Sequence, residues 1–220
     1  SDPAVSLRLY GHVVGQEYGD DVLYNPFEIT EHLQETILGY VSDPPYTDDG
    51  YAKWLNVLKY RQGGASTTAA LSFYPRVAYK DGTDAVVIAD TRQRADDLFE
   101  RVMYTHKHWP EDIRVDQQST NEVRQFTTKG GSRMRVRSGQ SEAVGIGRSV
   151  DLFLGSELPY WNSAARQFSL ITPSMRNRRN ALMILESTPA PLDAPSAQWW
   201  MDRCADAAAG LSRNLYAFFP

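Results

Sequence analysis

Two hundred and twenty residues, 42% hydrophobic and 23% charged, suit one or two globular domains with a sizeable core and exclude a disordered, collagenous or coiled-coil chain. Lys and Arg number 23 against 27 Asp and Glu, a net charge of -4, so no global basic field marks a nucleic-acid ligand and any DNA contact is a local patch. A single cysteine, Cys204, excludes an intrachain disulfide and a thiolate metal cluster and suits a reducing compartment. No apolar run reaches the roughly 18 residues of a membrane span, so a soluble chain without a membrane partner is expected.

In chain order, residues 1–24 are set apart as an N-terminal extension, and the domain proper is expected over 25–220. Leu33-Gln34-Glu35 leads a helical run, and the Asp- and Pro-rich stretch from Ser42 to Gly50 is a loop. Beyond it, short apolar runs alternate with helix-like patterns, which predicts an α/β fold with a mostly parallel sheet. The strand candidates are Trp54 to Lys59, Ala85 to Ala89, Val150 to Leu154, Ala181 to Glu186 and Asn214 to Phe219, all short and mostly apolar as buried parallel strands are. Asp90-Thr91 opens a helix with Ala95, Leu98, Phe99, Val102 and Met103 on one face, ending near Pro110. Val123 to Thr128 and Arg133 to Arg137 flank Lys129-Gly130-Gly131-Ser132 and read as a hairpin with Met134 and Val136 inward. His106 and His108 have no third ligand at metal spacing, and Trp199 and Trp200 precede Cys204 on a helix suited to packing.

After the first core strand comes Tyr60-Arg61-Gln62-Gly63-Gly64-Ala65-Ser66-Thr67, a glycine turn between a strand and a helix, the setting of a phosphate-binding loop. On the template G-x-x-x-x-G-K-[ST], Gly64 is the second glycine and Ser66 the hydroxyl, while Lys59 stands at the first glycine and Ala65 at the lysine. An amine is needed to balance phosphate charge, and Lys59 is placed to supply it from the front of the loop. Backbone amides from Gln62 to Ser66 would cradle phosphate, and the Ser66 hydroxyl suits Mg2+. The run Val150-Asp151-Leu152-Phe153-Leu154-Gly155-Ser156-Glu157 delivers an acid to the ligand crevice at a strand end. Glu157 is the candidate for polarising water, and Ser156 stands where many nucleotide hydrolases place a metal-binding Asp. Ser187-Thr188-Pro189 sets hydroxyls at another strand end, where they can sense a γ-phosphate.

In this order the motifs resemble the N-terminal ATPase domain of bacteriophage large terminases, the motors that package DNA into capsids. Arg61 to Thr67 with Lys59 in front is similar to the family's variant phosphate loop, Gly131-Ser132 to its Gly-Ser hairpin, and Ser156-Glu157-Leu158 with Trp161 to members with Ser-Glu in place of Asp-Glu. Gly147-Arg148 precedes the Walker B-like strand as an arginine often does there, and Ser187 and Thr188 match the coupling motif. The resemblance implies a P-loop NTPase fold of the ASCE type, ATP and Mg2+ as ligands, and adenine recognition by Gln34. It further implies duplex DNA, portal protein and small terminase subunit as partners, a homo-oligomeric ring once assembled, and the host cytoplasm as the place of action. The family's nuclease domain would follow Pro220. Arg61 acting in cis and Arg148 acting across a subunit contact compete as the arginine finger. Arg176, Arg178 and Arg179, and Arg133 with Arg135 on the hairpin, are candidates for following DNA phosphates. Two alternatives stay open: another DNA-translocating or helicase-like P-loop ATPase, and a degenerate P-loop module that binds without hydrolysis, for which Ala65 and Ser156 speak.

Overall fold

A computed structural model describes residues 13–17, 20–24, 31–118, 123–140, 149–211 and 213–219. Strands β1 (Val13–Glu17) and β2 (Asp20–Tyr24) form a separate antiparallel hairpin within the segment set apart as an extension. Helix α1 (His32–Ser42) follows, so Gln34 lies inside the first helical turn rather than ahead of it. The rest alternates as expected: β3 (Trp54–Leu58), α2 (Ala65–Tyr79), β4 (Asp84–Ala89), α3 (Arg92–His108), β5 (Gln125–Thr127), β6 (Arg133–Ser138), β7 (Leu152–Ser156), α4 (Ala164–Arg176), β8 (Leu182–Ser187), α5 (Ala197–Ala208) and β9 (Asn214–Phe218).

Among the described residues the main sheet has seven strands in the order β5-β6-β4-β7-β8-β3-β9, all neighbours parallel except the β5-β6 hairpin. Strand β8 lies between β3, which carries the glycine turn, and β7, which carries Glu157. This order agrees with the expected α/β fold built on a mostly parallel sheet.

Both sheet faces are covered, which is why the central strands read as unbroken apolar runs. Period-two alternation sends Leu55, Val57, Val87, Leu154 and Ile184 into one core with α1, α2 and α3, and Trp54, Val86, Ile88, Phe153, Met183 and Leu185 into the other with α4 and α5. Trp200 and Cys204 project from α5 into the second core, and burial pushes the Cys204 thiol up to about 12, so it acts as a small apolar group. Thr91 caps α3 by accepting from the Arg94 amide at 3.2 Å. The hairpin forms as the alternation predicts, with Phe126, Met134 and Val136 fully buried.

Strand β7 departs from the sequence expectation by two residues, running over Leu152–Ser156 rather than Val150 to Leu154. Gly155 and Ser156 carry weak β preference, but pairing with Leu185 and Glu186 of β8 extends the strand through them. The ladder therefore delivers Ser156 as the last strand residue, with Glu157 immediately beyond it.

Trp161 braces that strand end from below. Its indole donates to the Ser156 carbonyl at 2.9 Å, and its ring lies so close to Gly139 that an added Cβ would fall 2.6 Å from Cγ. Gly139→Ala is therefore expected to cost about 1–3 kcal/mol by forcing the ring aside. A urea midpoint equal to wild type would show that the ring yields freely.

Candidate functional site

The turn between β3 and α2 is built on positive-φ backbone: Gln62 has φ 63° and Gly64, the N-cap of α2, has φ 71°. That geometry aims the first amides of α2 outward, where the helix dipole favours an anion. Gly63 is equally constrained, since a Cβ there would meet Leu33 at 2.6 Å and the Tyr60 ring at 2.8 Å. The N-terminus of α1 closes on the same turn. The Gln34 amide lies over Gly64 while its Oε1 accepts from the Glu31 amide at 2.9 Å, and the Tyr60 hydroxyl donates to the Glu31 carboxylate.

Lys59, the residue after β3, is buried and ends between two acids. Its Nζ is 2.9 Å from Glu157 Oε1 and 3.2 Å from Glu186 Oε2. Glu157 is held in the left-handed region, φ 55°, by its own amide donating to the Glu186 carbonyl at 2.8 Å. Such backbone is uncommon for a residue with a side chain and concentrates at functional sites. Its second oxygen, Oε2, accepts from Ser187 Oγ at 3.0 Å, from the Thr188 amide at 3.2 Å and from Thr188 Oγ1 at 3.1 Å. The strand ends of β3, β7 and β8 thus join Lys59, Glu157, Ser187 and Thr188 in one network.

Charge within this network is unbalanced, two buried carboxylates sharing one ammonium. Burial opposes ionisation of Glu157, but the Lys59 charge and the donors from Lys59, Thr188 and Ser187 hold its pKa below the ordinary value. Burial dominates at fully enclosed Glu186 and raises its pKa, with Lys59 working against the rise and Glu157 adding to it. Lys59 is pushed down by burial, yet the charges of Glu186 and Glu157 more than offset this and raise it.

A crevice of about 480 Å³ opens beside the network, lined by Lys59, Arg61, Gln62, Asp90, Arg94, Glu157, Tyr160 and Thr188. Arg61 is exposed at its edge and makes no ion pair among the described residues. Asp90, at the end of β4, was not singled out from sequence. It pairs through Oδ2 with Arg94 at 2.8 Å, and burial raises its pKa against the pull of Arg94 and the Thr91 amide. Glu186 was missed as well, although its signal was present as an acid closing the run Leu182-Met183-Ile184-Leu185. Ser66 and Ser156 lie beside it: Ser66 Oγ donates to Glu186 Oε1 at 2.7 Å, and Ser156 Oγ donates to Ser66 Oγ at 3.2 Å. Oxygen donors alone, with one carboxylate, suit a hard cation such as Mg2+ that takes its remaining ligands from phosphate and water.

The other sequence candidates are dispersed. Thr67 accepts from Arg101 of α3, and Ala65 is buried at the start of α2. Asp151 lies at the opposite end of β7, bound to Arg178, and so is remote from the crevice. Arg133 and Arg135 both bind Asp84, with Arg133 Nε at 2.7 Å and Arg135 Nη2 at 2.8 Å, so one carboxylate offsets one of their two charges. Arg176 and Arg179 are exposed, and Arg179 lies over the Tyr51 ring. Arg148 lies outside the described residues.

No protein-family model matches the chain, and no curated protein matches it. Solved structures do. The HK97 bacteriophage large terminase superposes on the whole chain with a TM-score of 0.71 at 16% identity. The fold is that of a large-terminase ATPase domain. The ATPase domain of the Thermus phage P74-26 large terminase gives 0.61 at 16% identity over 87% of this chain and 80% of that one, and a point mutant of that domain gives 0.60 at 17%. The chain spans 44% of the length of the HK97 protein. Among the described residues, no helix is long and apolar enough to cross a membrane.

Proposed function

We propose that residues 25–220 are the ATPase domain of a viral DNA-packaging motor that hydrolyses Mg-ATP to move duplex DNA into a capsid. The observation that carries this reading is Lys59, set by β3 under the glycine turn at 2.9 Å from Glu157, in a fold shared with terminase ATPase domains. In this reading the amides of Gln62 to Ser66 cradle the phosphates, Lys59 balances their charge, and Gln34, poised over Gly64, meets the base. Glu157 polarises the attacking water. Ser66 and Ser156 would hold a bound Mg2+, which would supply neutralisation of phosphate charge.

Glu157 is saturated by Lys59, Ser187 and Thr188, so it turns to water only when a partner lets go. An incoming γ-phosphate competes for the Lys59 ammonium, and release of that contact is felt directly by Ser187 and Thr188 at the end of β8. This makes the pair a physical coupling element between hydrolysis and movement. Arg61, at the crevice edge and without an ion pair among the described residues, serves as a finger in cis, with Arg148 the candidate in trans. Exposed Arg176 and Arg179, with Arg178, Arg133 and Arg135, are the DNA candidates. Portal protein, small terminase subunit and a ring of like chains complete the motor in the host cytoplasm.

Titration with a fluorescent ATP analogue, with and without Mg2+, followed by turnover assays with duplex and single-stranded DNA, tests the reading. Mg2+-dependent binding with turnover raised by duplex DNA is expected. Binding without turnover in the assembled motor favours the degenerate module, and preferential stimulation by single strands favours a helicase-like enzyme.

A further inference from the structure

The end of β7 offers Ser156 where a nucleotide hydrolase of this fold needs a metal-binding acid, and a hydroxyl alone is a weak ligand for Mg2+. The parallel register pairs Ser156 with Glu186 of β8 and pairs Glu186 in turn with Val57 of β3. Residues paired across a parallel ladder project to the same side at the same height. Glu186 therefore rises beside Ser156 and one strand nearer the glycine turn, and its Oε1 reaches the hydroxyl of Ser66 at 2.7 Å. Glu186 is wholly buried, and the cation it meets among the described residues is Lys59, whose Nζ stands 3.2 Å from Oε2 and is shared with Glu157. A fully buried carboxylate that shares one cation with a second acid is costly unless a further cation completes it. The surplus negative charge of two carboxylates around one ammonium points the same way.

We propose that Glu186, with Ser66 and Ser156 as its hydroxyl partners, provides the carboxylate of the divalent-cation site, so that the acid has moved from the end of β7 to its neighbour β8. The inference rests on the nucleotide reading above and deepens it. It explains how Ser156 is tolerated: a serine leaves room for the longer Glu186 side chain and hydrogen-bonds into the same cluster. A purely structural Glu186, serving only to cap α2 or to neutralise Lys59, would leave metal affinity indifferent to its charge.

The test measures Mn2+ bound to the chain with an ATP analogue by electron paramagnetic resonance, beside nucleotide affinity with and without Mg2+. Glu186→Gln, which keeps the shape and removes the charge, is expected to weaken Mn2+ binding about 10–100-fold while Mg2+-free nucleotide affinity is maintained or improved. Ser156→Asp combined with Glu186→Gln returns a carboxylate to the same level of the sheet and is expected to restore Mn2+ binding. Wild-type Mn2+ affinity in folded Glu186→Gln overturns the proposal and leaves the nucleotide reading standing. A wild-type chain that binds no nucleotide sinks both. Should Glu186→Gln fail to fold, Ser156→Ala decides, since it retains Glu186. Only a small loss of Mn2+ affinity is then expected, and a loss of about tenfold or more would identify Ser156 as the essential ligand and overturn the proposal.

Discussion

Glu157→Gln is expected to slow ATP turnover by about 10²–10⁴-fold, the range associated with losing a general base. The amide keeps the side chain's length and can still accept from Ser187 and Thr188, so the left-handed turn at Glu157 is preserved. It loses the charge that engages Lys59, which leaves the ammonium freer for phosphate. Nucleotide affinity should therefore hold or improve while the chemical step fails, a separation that a merely weakened pocket does not give. Single-turnover hydrolysis alongside equilibrium binding measures both quantities. Retained turnover would remove Glu157 from the chemistry and direct attention to Asp90, an acid of the same crevice whose pKa is raised by burial. Asp151, the other acid of the β7 run, lies at the wrong end of the strand and is bound to Arg178.

Strands and helices of this chain are legible because both faces of the sheet are covered, so each central strand is a short apolar block and each helix an amphipathic one. Lys59, Glu157, Ser187 and Thr188 could be picked out individually because parallel strands deliver their last residues to one crevice. Their joint network was not legible, since it depends on β8 lying between β3 and β7, a matter of strand order that no local pattern encodes. Glu186 illustrates the cost. An acid after four apolar residues reads as the exposed end of a strand, yet the ladder to both neighbours buries it completely beneath Ser66. Asp84 hides for the same reason, because only the pairing of β4 with β6 brings it to Arg133 and Arg135. The two-residue offset of β7 has the complementary cause, in that pairing with β8 carries Gly155 and Ser156 into a strand their own preferences do not favour.

Lys59→Ala is expected to abolish nucleotide binding and to destabilise the fold by about 3–5 kcal/mol at neutral pH, the penalty for leaving a buried charge unpaired. In the wild-type chain the ammonium is the shared cation of Glu157 and Glu186, and its folded pKa stands above the ordinary value of 10.5. Its contribution to stability is thus fully present below that value and is lost as pH rises through the folded pKa. Without Lys59 the two acids share a buried pocket with no ammonium between them: Glu186, already raised by burial, loses the cation that opposes the rise, and Glu157 loses the Lys59 charge that holds its pKa down. A carboxyl group whose folded pKa is raised loses stability as pH climbs from its unfolded value through its folded one. The gap between variant and wild type should therefore be small near pH 4, where both acids can carry protons, and widen toward neutrality. Urea unfolding of both chains across that interval measures the gap, with Lys59→Met separating lost charge from lost volume. The same uncompensated carboxylates would also repel a polyphosphate, so ATP binding should fail even where the variant remains folded. A variant that matches wild-type stability at neutral pH and still binds ATP would make Lys59 peripheral. The guanidinium of Arg61 at the crevice edge would then be the cation that meets the phosphates.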